Sequence, residues 1–154
     1  MTHHILEPAE LAERLRQSGL RSTAPRRAVY QALAELGGHR SADEVTVHTA
    51  ANGPKLPRAS VYNALSTLVS IGLVMQAETG SGTALYEVAS DYHHHLLCRN
   101  CGAVTDVPGE SPREYLRVRV AGALVESAQI VYRGLCPDCY AGMAAHDARQ
   151  DVRG

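Results

Sequence analysis

The sequence predicts an α+β fold, with an N-terminal winged helix followed by a smaller C-terminal α/β domain. Apolar residues recur at helical spacing up to Gly72, and the spacing then changes to that of strands around a glycine-rich turn. Several helices that lead into a hairpin are the sequence outline of a winged helix. Beyond the hairpin, two Cys-x-x-Cys pairs lie far apart, with 34 residues between Cys101 and Cys136, so a β/α unit must fold between them.

The first two helices carry their own end signals. The first is predicted over residues 8–18, and Gly19 stops it. The second begins after Thr23, the predicted N-cap, with Pro25 in the first turn, where the missing N–H of proline is no loss. The pair Gly37-Gly38 ends this helix.

A capping box marks the start of the third helix, because Glu44 follows Ser41 by three residues. The sequence Asn52-Gly53-Pro54 breaks that helix. The fourth helix opens at Pro57 and continues up to Gly72. As the helix directly before the wing, it is the predicted recognition helix.

A hairpin closes the first domain. Residues 73–77 and 83–88 have strand character on either side of the turn sequence Thr79-Gly80-Ser81-Gly82. The predicted organisation is a winged-helix domain, a short link and a second domain over residues 1–88, 89–91 and 92–154.

Strands alternate with one helix in the second domain. Strands are predicted over residues 92–97, 102–107 and 128–132, with an amphipathic helix over residues 111–122. From about His146 the chain is polar, and we expect it to fray.

Composition argues against a membrane protein and a secreted protein. No apolar run approaches the ~20 residues that cross a bilayer, and the N-terminus lacks a secretory signal, so we expect a cytoplasmic protein. The net charge is −1, but residues up to 75 hold eight Lys/Arg against six Asp/Glu, and the remainder holds seven against ten. A basic first half beside an acidic second half fits a DNA-contacting module next to a metal-binding one, although ordinary surface charge explains it equally well.

The two cysteine pairs predict a structural zinc. Cys-x-x-Cys spacing lets two thiolates turn onto one ion, and four sulfurs match tetrahedral Zn²⁺ at ~2.3 Å. A reducing cytoplasm disfavours disulfides. The alternatives are redox chemistry or unligated thiols. The predicted zinc ligands, with no regulatory role, are Cys98, Cys101, Cys136 and Cys139.

Three consecutive histidines precede the first cysteine pair. In a strand, His93 and His95 share one face and His94 takes the other. The alternative to a metal site is three polar side chains on an exposed strand, because clustered histidine is a weak signal by itself.

Two carboxylates are candidates to join these histidines. If the strands pair with Cys98 opposite Cys101, then Asp106 falls opposite His93, and Glu87 at the end of the wing reaches the same patch. Imidazole and carboxylate ligands without sulfur suit Fe²⁺, Mn²⁺ or Zn²⁺.

Four segments occur in an order that is more specific than any one of them: Arg-Ala-Ser-Val-Tyr-Asn-Ala-Leu (58–65), Tyr-Glu-Val (86–88), His-His-His-Leu-Leu-Cys-Arg-Asn-Cys-Gly (93–102) and Tyr-Arg-Gly-Leu-Cys-Pro-Asp-Cys (132–139). Together they resemble the Fur family of metalloregulators, over about residues 8 to 140. The resemblance implies a transcriptional repressor rather than an enzyme. It also implies a homodimer, paired through its second domain, that binds an inverted-repeat DNA operator when a regulatory metal is loaded.

The same resemblance implies a regulatory site for Fe²⁺ or Mn²⁺. Its ligands would be His39, Glu87, His93, His95 and Asp106. Asp106 is typical of peroxide-sensing members, whereas the best-known peroxide sensor type has Asp at the position of Glu87. Ala128 and His94 depart from the iron-sensing pattern, which argues against a further metal site there.

The run Ala-Gln-Ile-Val-Tyr-Arg-Gly-Leu-Cys-Pro is similar to actinobacterial members that control catalase genes. The resemblance therefore favours a peroxide-responsive repressor of oxidative-stress genes. An iron-, zinc- or nickel-uptake regulator of the same family is the alternative, because ligand type does not select among these metals.

Candidate DNA contacts lie on the recognition helix and near the start of the second helix. Arg58 and Ser60 sit at a helix N-terminus, where phosphate and base-edge contacts are favoured. Tyr62 resembles the family's DNA-contacting tyrosine, with core packing as its alternative, and Asn63 is adjacent. The candidate phosphate contacts are Arg21, Arg26 and Arg27.

Two other function classes compete with a repressor. A zinc hydrolase or deaminase needs an open zinc position and a general base, and four sulfurs close the site. A thiol-disulfide switch predicts zinc release at low peroxide, with the histidines dispensable.

Overall fold

A computed structural model of the chain describes residues 5–78, 82–89, 92–110, 122–124 and 128–151, with side chains described up to residue 144. The chain divides into two units, Met1–Asp91 and Tyr92–Gly154. Almost all of the predicted helix over residues 111–122 lies outside the described residues, as do residues 79–81 of the predicted turn. Within the described part of the chain, no helix has the length and apolar character that a membrane span requires.

The first unit contains the four predicted helices, each within two residues of its expected bounds. In chain order they are α1 (Pro8–Gln17), α2 (Ala24–Leu36), α3 (Ala42–Asn52) and α4 (Arg58–Ser70). They form where predicted because apolar spacing and end signals are local properties of the sequence.

The two predicted N-caps differ in outcome. At α3 the capping box is confirmed: Ser41 Oγ accepts from the Glu44 N–H at 3.2 Å, and the Glu44 carboxylate accepts from the Ser41 N–H at 2.8 Å. At α2, Thr23 occupies the N-cap position with extended backbone, but its side chain makes no capping hydrogen bond. The prediction that Thr23 is the N-cap residue of the second helix is therefore confirmed, although its side chain does not cap the helix.

Aliphatic residues from all four helices build most of the core of this unit. The aromatic residue that these helices add to the core is Tyr30, which is 2% exposed and accepts a hydrogen bond from the Leu6 N–H at 3.1 Å. Burial raises the pKa of Tyr30, and the hydrogen bond satisfies its hydroxyl, as a buried tyrosine requires. The fully buried residues of these helices include Leu15, Val29, Leu33, Val61, Leu65 and Leu68.

The wing is a three-stranded antiparallel sheet in the order β1-β3-β2. Strands β2 (Val74–Glu78) and β3 (Ala84–Val88) are the predicted hairpin. The third strand, β1 (Arg40–Ser41), lies between α2 and α3 and was not predicted. Two residues are too few to show an alternating pattern, so the sequence carries no periodic signal for this strand.

The second unit holds a sheet in the order β5-β4-β6, formed by β4 (His93–Cys98), β5 (Val104–Pro108) and β6 (Val131–Gly134). β5 is antiparallel to β4, and β6 is parallel to it. All three strands were predicted, although β6 begins three residues later than expected. Helix α5 (Pro137–Asp151) follows directly, so the expected fraying from about His146 was wrong for the backbone up to Asp151.

Candidate metal centres and nucleic-acid interface

The four cysteines are brought together by a tight turn and a helix start. Cys98 ends β4, where its N–H donates to the Ala103 carbonyl at 2.9 Å and its carbonyl accepts from Gly102 at 3.0 Å. Gly102 has a φ of +76°, a left-handed conformation that favours glycine. The second pair lies at the start of α5, where the Tyr140 N–H donates to the Cys136 carbonyl at 2.9 Å.

Their sulfur atoms have the spacing of a tetrahedral zinc site. All four Sγ atoms lie within 4.8 Å of one another, and those of Cys101 and Cys136 are 3.8 Å apart. Four sulfurs at ~2.3 Å from a central ion are separated by about 3.8 Å, whereas a disulfide has an S–S length of about 2.05 Å. The donor set and its spacing therefore fit the predicted structural zinc.

The thiols of this cluster have widely separated acidities. Hydrogen bonds from the backbone of Cys101 and Cys136 lower the pKa of Cys98 to about 6. The Asn100 amide donates to Cys139 Sγ at 3.3 Å and acts to lower the pKa of Cys139, but the neighbouring sulfurs outweigh it and raise that pKa to about 11. Four crowded thiols resist becoming four thiolates unless a cation balances their charge. Asn100 carries no signal in the sequence beyond its place between two cysteines.

In the first unit, the unpredicted strand β1 positions the preceding residue, His39, beside Glu87. β1 pairs with β3 in the register Arg40↔Tyr86, and continuing that register by one residue sets His39 opposite Glu87. Nε2 of His39 lies 3.3 Å from Oε1 of Glu87, and the two side chains are 8% and 2% exposed. A carboxylate this deeply buried requires positive charge or hydrogen-bond donors around it. The structure thus places His39, to which spacing alone assigned no role, against a buried carboxylate.

In the second unit, His93 and His95 converge on one face of β4, as strand alternation predicts. Their Nε2 atoms are 3.1 Å apart, and the rings meet edge-on with centroids 4.8 Å apart. Two nitrogens bound to one cation at about 2.1 Å are separated by about 3.0–3.4 Å. Asp106 Oδ1 lies 3.5 Å from His93 Nε2, so a carboxylate joins the two imidazoles.

The predicted pairing of Asp106 with His93 was wrong. The register is His95↔Asp106, and His93 is opposite Pro108. The loop between β4 and β5 closes with a backbone hydrogen bond from Cys98 to Ala103. This loop is two residues longer than the predicted turn, in which Cys98 faces Cys101. An even shift keeps every side chain on its face, and Asp106 therefore stays beside the histidines.

His94 points to the opposite face and enters a different network. Its Nδ1 is 3.0 Å from the Tyr132 hydroxyl, its Nε2 is 3.3 Å from the Glu110 carbonyl, and Tyr92 packs edge-on at 5.5 Å. The side chain of His94 therefore ties β4 to β6 and to the end of β5, and it does not belong to the cluster of His93 and His95.

Helix α4, the predicted recognition helix, exposes most of its predicted DNA contacts to solvent. Tyr62 is 41% exposed, so the alternative that it packs in the core was wrong, while the neighbouring Val61 is fully buried. A groove of about 190 Å³ runs between the start of α2 and α4, and it brings Arg26 beside Ser60 and Asn63. The described surface thus groups predicted DNA contacts from two helices.

Two of the predicted phosphate contacts are oriented by backbone carbonyls. The guanidinium of Arg26 donates to the Arg21 carbonyl at 2.7 Å, and that of Arg27 donates to the Ser22 carbonyl at 2.6 Å. Arg58 differs, because its Nη2 lies 2.8 Å from Oδ1 of Asp43. Asp43 has no counterpart in the sequence prediction, since nothing in the spacing of residues 43 and 58 indicates their contact.

The chain matches the Ferric uptake regulator family over residues 17–132, which is most of its length. It is 38% identical over 136 residues to the transcriptional regulator FurA of Mycobacterium tuberculosis, with 84% of this chain and 90% of the relative covered. It is 30% identical over 141 residues to the peroxide operon regulator of Bacillus subtilis, with 90% and 96% covered.

Its structure is similar to that of the ferric uptake regulator Fur of Helicobacter pylori, with a TM-score of 0.68 and 26% identity. The similarity covers 91% of this chain and 97% of the other. The Helicobacter protein has three functional metal binding sites.

Proposed function

Because this chain belongs to the ferric uptake regulator family of metal-responsive transcriptional regulators, we propose that it is a homodimeric repressor controlled by one cation that its two units share. Members of this family are regulators and not enzymes. The repressor acts on an inverted-repeat operator in the cytoplasm, and the regulatory cation is Fe²⁺ or Mn²⁺.

The observation that carries the proposal is the pair of incomplete ligand sets. His39 and Glu87 form a buried pair in the first unit, at 3.3 Å. His93, His95 and Asp106 form a group of three in the second unit. A set of two does not by itself hold a divalent transition metal tightly, and a set of three leaves coordination positions open. Five nitrogen and oxygen ligands together suit iron or manganese.

The proposed mechanism is electrostatic. Without a cation, the negative charges of Glu87 and Asp106 repel each other. When a cation is bound, both carboxylates become its ligands and the link between the units is fixed. Fixing that link sets the spacing of two recognition helices, which in a two-fold dimer must match half-sites about one helical turn apart. A coupling of about 1–3 kcal/mol between cation and operator is typical of such linkage.

The cysteine cluster has a different proposed role. Four sulfurs close a zinc site and leave no position for water or substrate, so a zinc held by Cys98, Cys101, Cys136 and Cys139 supports the fold. It joins the turn after β4 to the start of α5 and needs no part in regulation.

DNA contact is proposed for the exposed face of α4 and the start of α2. Tyr62 and Asn63 offer groups that reach base edges, and Ser60 lies at the helix N-terminus, where backbone N–H groups favour phosphate. Arg21, Arg26 and Arg27 supply positive charge for the phosphate backbone.

Peroxide response is the finer part of the proposal. Asp106 and the similarity to the peroxide operon regulator support it. Glu87 and the match to a family and to relatives that are named for ferric uptake leave iron-uptake control as the second candidate. A ferrous ion, when bound, supplies one-electron chemistry with hydrogen peroxide. The imidazoles of His39 and His93 are the side chains whose oxidation would weaken cation binding and release the operator.

Operator binding tests the repressor itself. An operator is first selected from a random duplex pool with the Mn²⁺-loaded protein. Demetallated protein that keeps its structural zinc is then titrated with Fe²⁺, Mn²⁺, Zn²⁺ or Ni²⁺, and operator affinity is measured by fluorescence anisotropy. We expect at least a five-fold gain in affinity with the regulatory metal. Equal affinity with and without metal would contradict the proposal.

Peroxide treatment tests the finer part. We expect the Fe²⁺-loaded protein to lose operator binding and to gain an oxygen atom on a peptide that carries His39 or His93, as measured by mass spectrometry. The Mn²⁺-loaded protein is the matched control and should remain unmodified. If the iron form keeps both histidines intact and stays on DNA, iron-uptake control is the better function. If DNA release instead follows cysteine oxidation, a thiol-disulfide switch is the better function.

A further inference from the structure

An exposed acidic residue neutralises the arginine at the start of the recognition helix. Arg58 is the first residue of α4, and its Nη2 lies 2.8 Å from Oδ1 and 3.2 Å from Oδ2 of Asp43, in the first turn of α3. The guanidinium also lies over the Tyr62 ring, 5.7 Å from the centroid. Arg58 is thus held against a carboxylate and an aromatic ring at the helix end proposed to approach DNA.

The helix ends explain why this contact forms. A cation at a helix N-terminus is opposed by the helix dipole, so Arg58 gains from an anionic partner. Asp43 lies near the N-terminus of α3, where the dipole favours its charge and where Ser41 and Glu44 already complete the capping box. Asp43 is therefore not needed to cap α3, and its carboxylate remains available to Arg58.

The other basic residues nearby are held in a different way. Arg26 and Arg27 donate to carbonyl oxygens of Arg21 and Ser22, which orient a guanidinium without cancelling its charge. A phosphate that approaches Arg26 or Arg27 meets a full positive charge, whereas one that approaches Arg58 must first replace Asp43.

We propose that Asp43 is an internal competitor of DNA phosphate, which holds Arg58 in an ion pair and thereby weakens binding to duplex of any sequence. This inference rests on the proposed DNA binding. The side chains of Arg58 and Asp43 are 63% and 62% exposed, so their pair is weak enough for a phosphate to displace. Its effect is a lower non-specific affinity, which leaves more of the repressor free for its operator.

The test uses the full-length, Mn²⁺-saturated protein and a fluorescent duplex of random sequence, with affinity measured by anisotropy over a range of salt concentrations. Asp43→Asn keeps the shape of the side chain and removes its charge. We expect binding to become about two- to five-fold tighter, the scale of an exposed ion pair. We also expect the slope of log K against log salt to steepen by up to about 0.9, because Arg58 can neutralise a phosphate in every complex of the variant, whereas in the wild type Asp43 prevents this in part of the complexes.

A double-mutant cycle separates this effect from the change in net charge. If Asp43 acts through Arg58, then Asp43→Asn has no effect in a chain that also carries Arg58→Ala. A gain that persists in that background is general electrostatics and overturns the proposal. Glu13→Gln, which removes a carboxylate from α1, is the matched charge control and should leave the affinity nearly unchanged. Asp43→Ser, with melting temperature recorded for each variant, guards against a folding defect.

The two failures are distinguishable. Wild-type protein that binds neither random duplex nor any selected operator would remove the proposed function and this inference with it. Wild-type protein that binds duplex, with Asp43→Asn no tighter or no steeper in its salt dependence, would overturn the competitor role alone.

Discussion

The ring of His94 leaves no room for a side chain at position 109. A Cβ added to Gly109 would meet Nε2 and Cε1 of His94 at 2.5 Å, far inside contact distance. His94 cannot easily turn away, because its two ring nitrogens are near the Tyr132 hydroxyl and the Glu110 carbonyl. A single methyl group at position 109 would therefore disturb the packing of His94 between β4 and the segment that follows β5.

Gly109→Ala should therefore destabilise the protein by about 1–3 kcal/mol, as overpacking does. Urea unfolding measures the change. Gly142→Ala is the matched control, because a Cβ at residue 142 of α5 meets nothing within 4 Å. The penalty at position 109 should fall in a His94→Ala background, and an equal penalty there would show that the ring is not its cause.

Each of the four cysteines is also needed individually for the proposed zinc site. Cys136→Ser should lower the zinc that survives a chelator wash from about one ion per chain to near zero, because a three-sulfur site loses a ligand and its closed geometry. Zinc content by mass spectrometry and the melting temperature should fall together. His93→Ala is the control and should keep its zinc. Retention of tightly bound zinc by Cys136→Ser would contradict the assignment.

Helix α3 illustrates what an end signal contributes to an element. The Ser41 and Glu44 groups satisfy each other's donors at its first turn. The hydrogen bond from the Ser41 backbone is the largest of the effects that lower the pKa of Glu44. The same turn follows β1 directly, so its stability also bears on the position of His39.

Ser41→Ala should cost about 1 kcal/mol, the usual value of an N-cap side chain, as measured by urea unfolding at neutral pH. Because the pKa of Glu44 is lowered on folding, its contribution is complete above the unfolded pKa and is lost as pH falls through the folded one. The Ser41 hydroxyl donates to that carboxylate at 3.0 Å and supplies one part of this effect, so the gap between the variant and the wild type should narrow in acid. The backbone bond from Ser41 remains in the variant and does not contribute to the gap. Ser70→Ala, at the C-terminal end of α4, is the control and should change stability by less than about 0.5 kcal/mol. A gap that widens in acid would contradict the sign.

At the scale of the whole molecule, the proposed cation links residues that are far apart in sequence and lie in different units. His39→Ala and His93→Ala should then lose metal-dependent operator binding to a similar extent, each by about five-fold or more, although each removes a ligand from a different half. His48→Ala is the matched control, because the Nε2 of His48 lies 2.7 Å from Glu35 and outside both ligand sets. Loss with only one of the two histidine variants would mean that the site lies in one unit.

Local signals were enough for much of this protein. The four helices of the first unit, the hairpin and the capping box follow from spacing and end residues, which act within a few positions of the chain. The cysteine pairs likewise predicted a four-sulfur site, because a spacing of two residues between cysteines lets both thiols contact the same ion. Strand alternation separated His94 from His93 and His95 without any structure.

Tertiary structure decided what depends on pairing between distant segments. The register of β4 and β5 followed from a loop two residues longer than assumed, so Asp106 faces His95. A strand of two residues sets His39 opposite Glu87, and a contact between two helix starts joins Asp43 to Arg58. Such contacts form only after the chain has folded, since hydrogen bonding between strands and packing between helices depend on three-dimensional position, which spacing along the sequence does not encode.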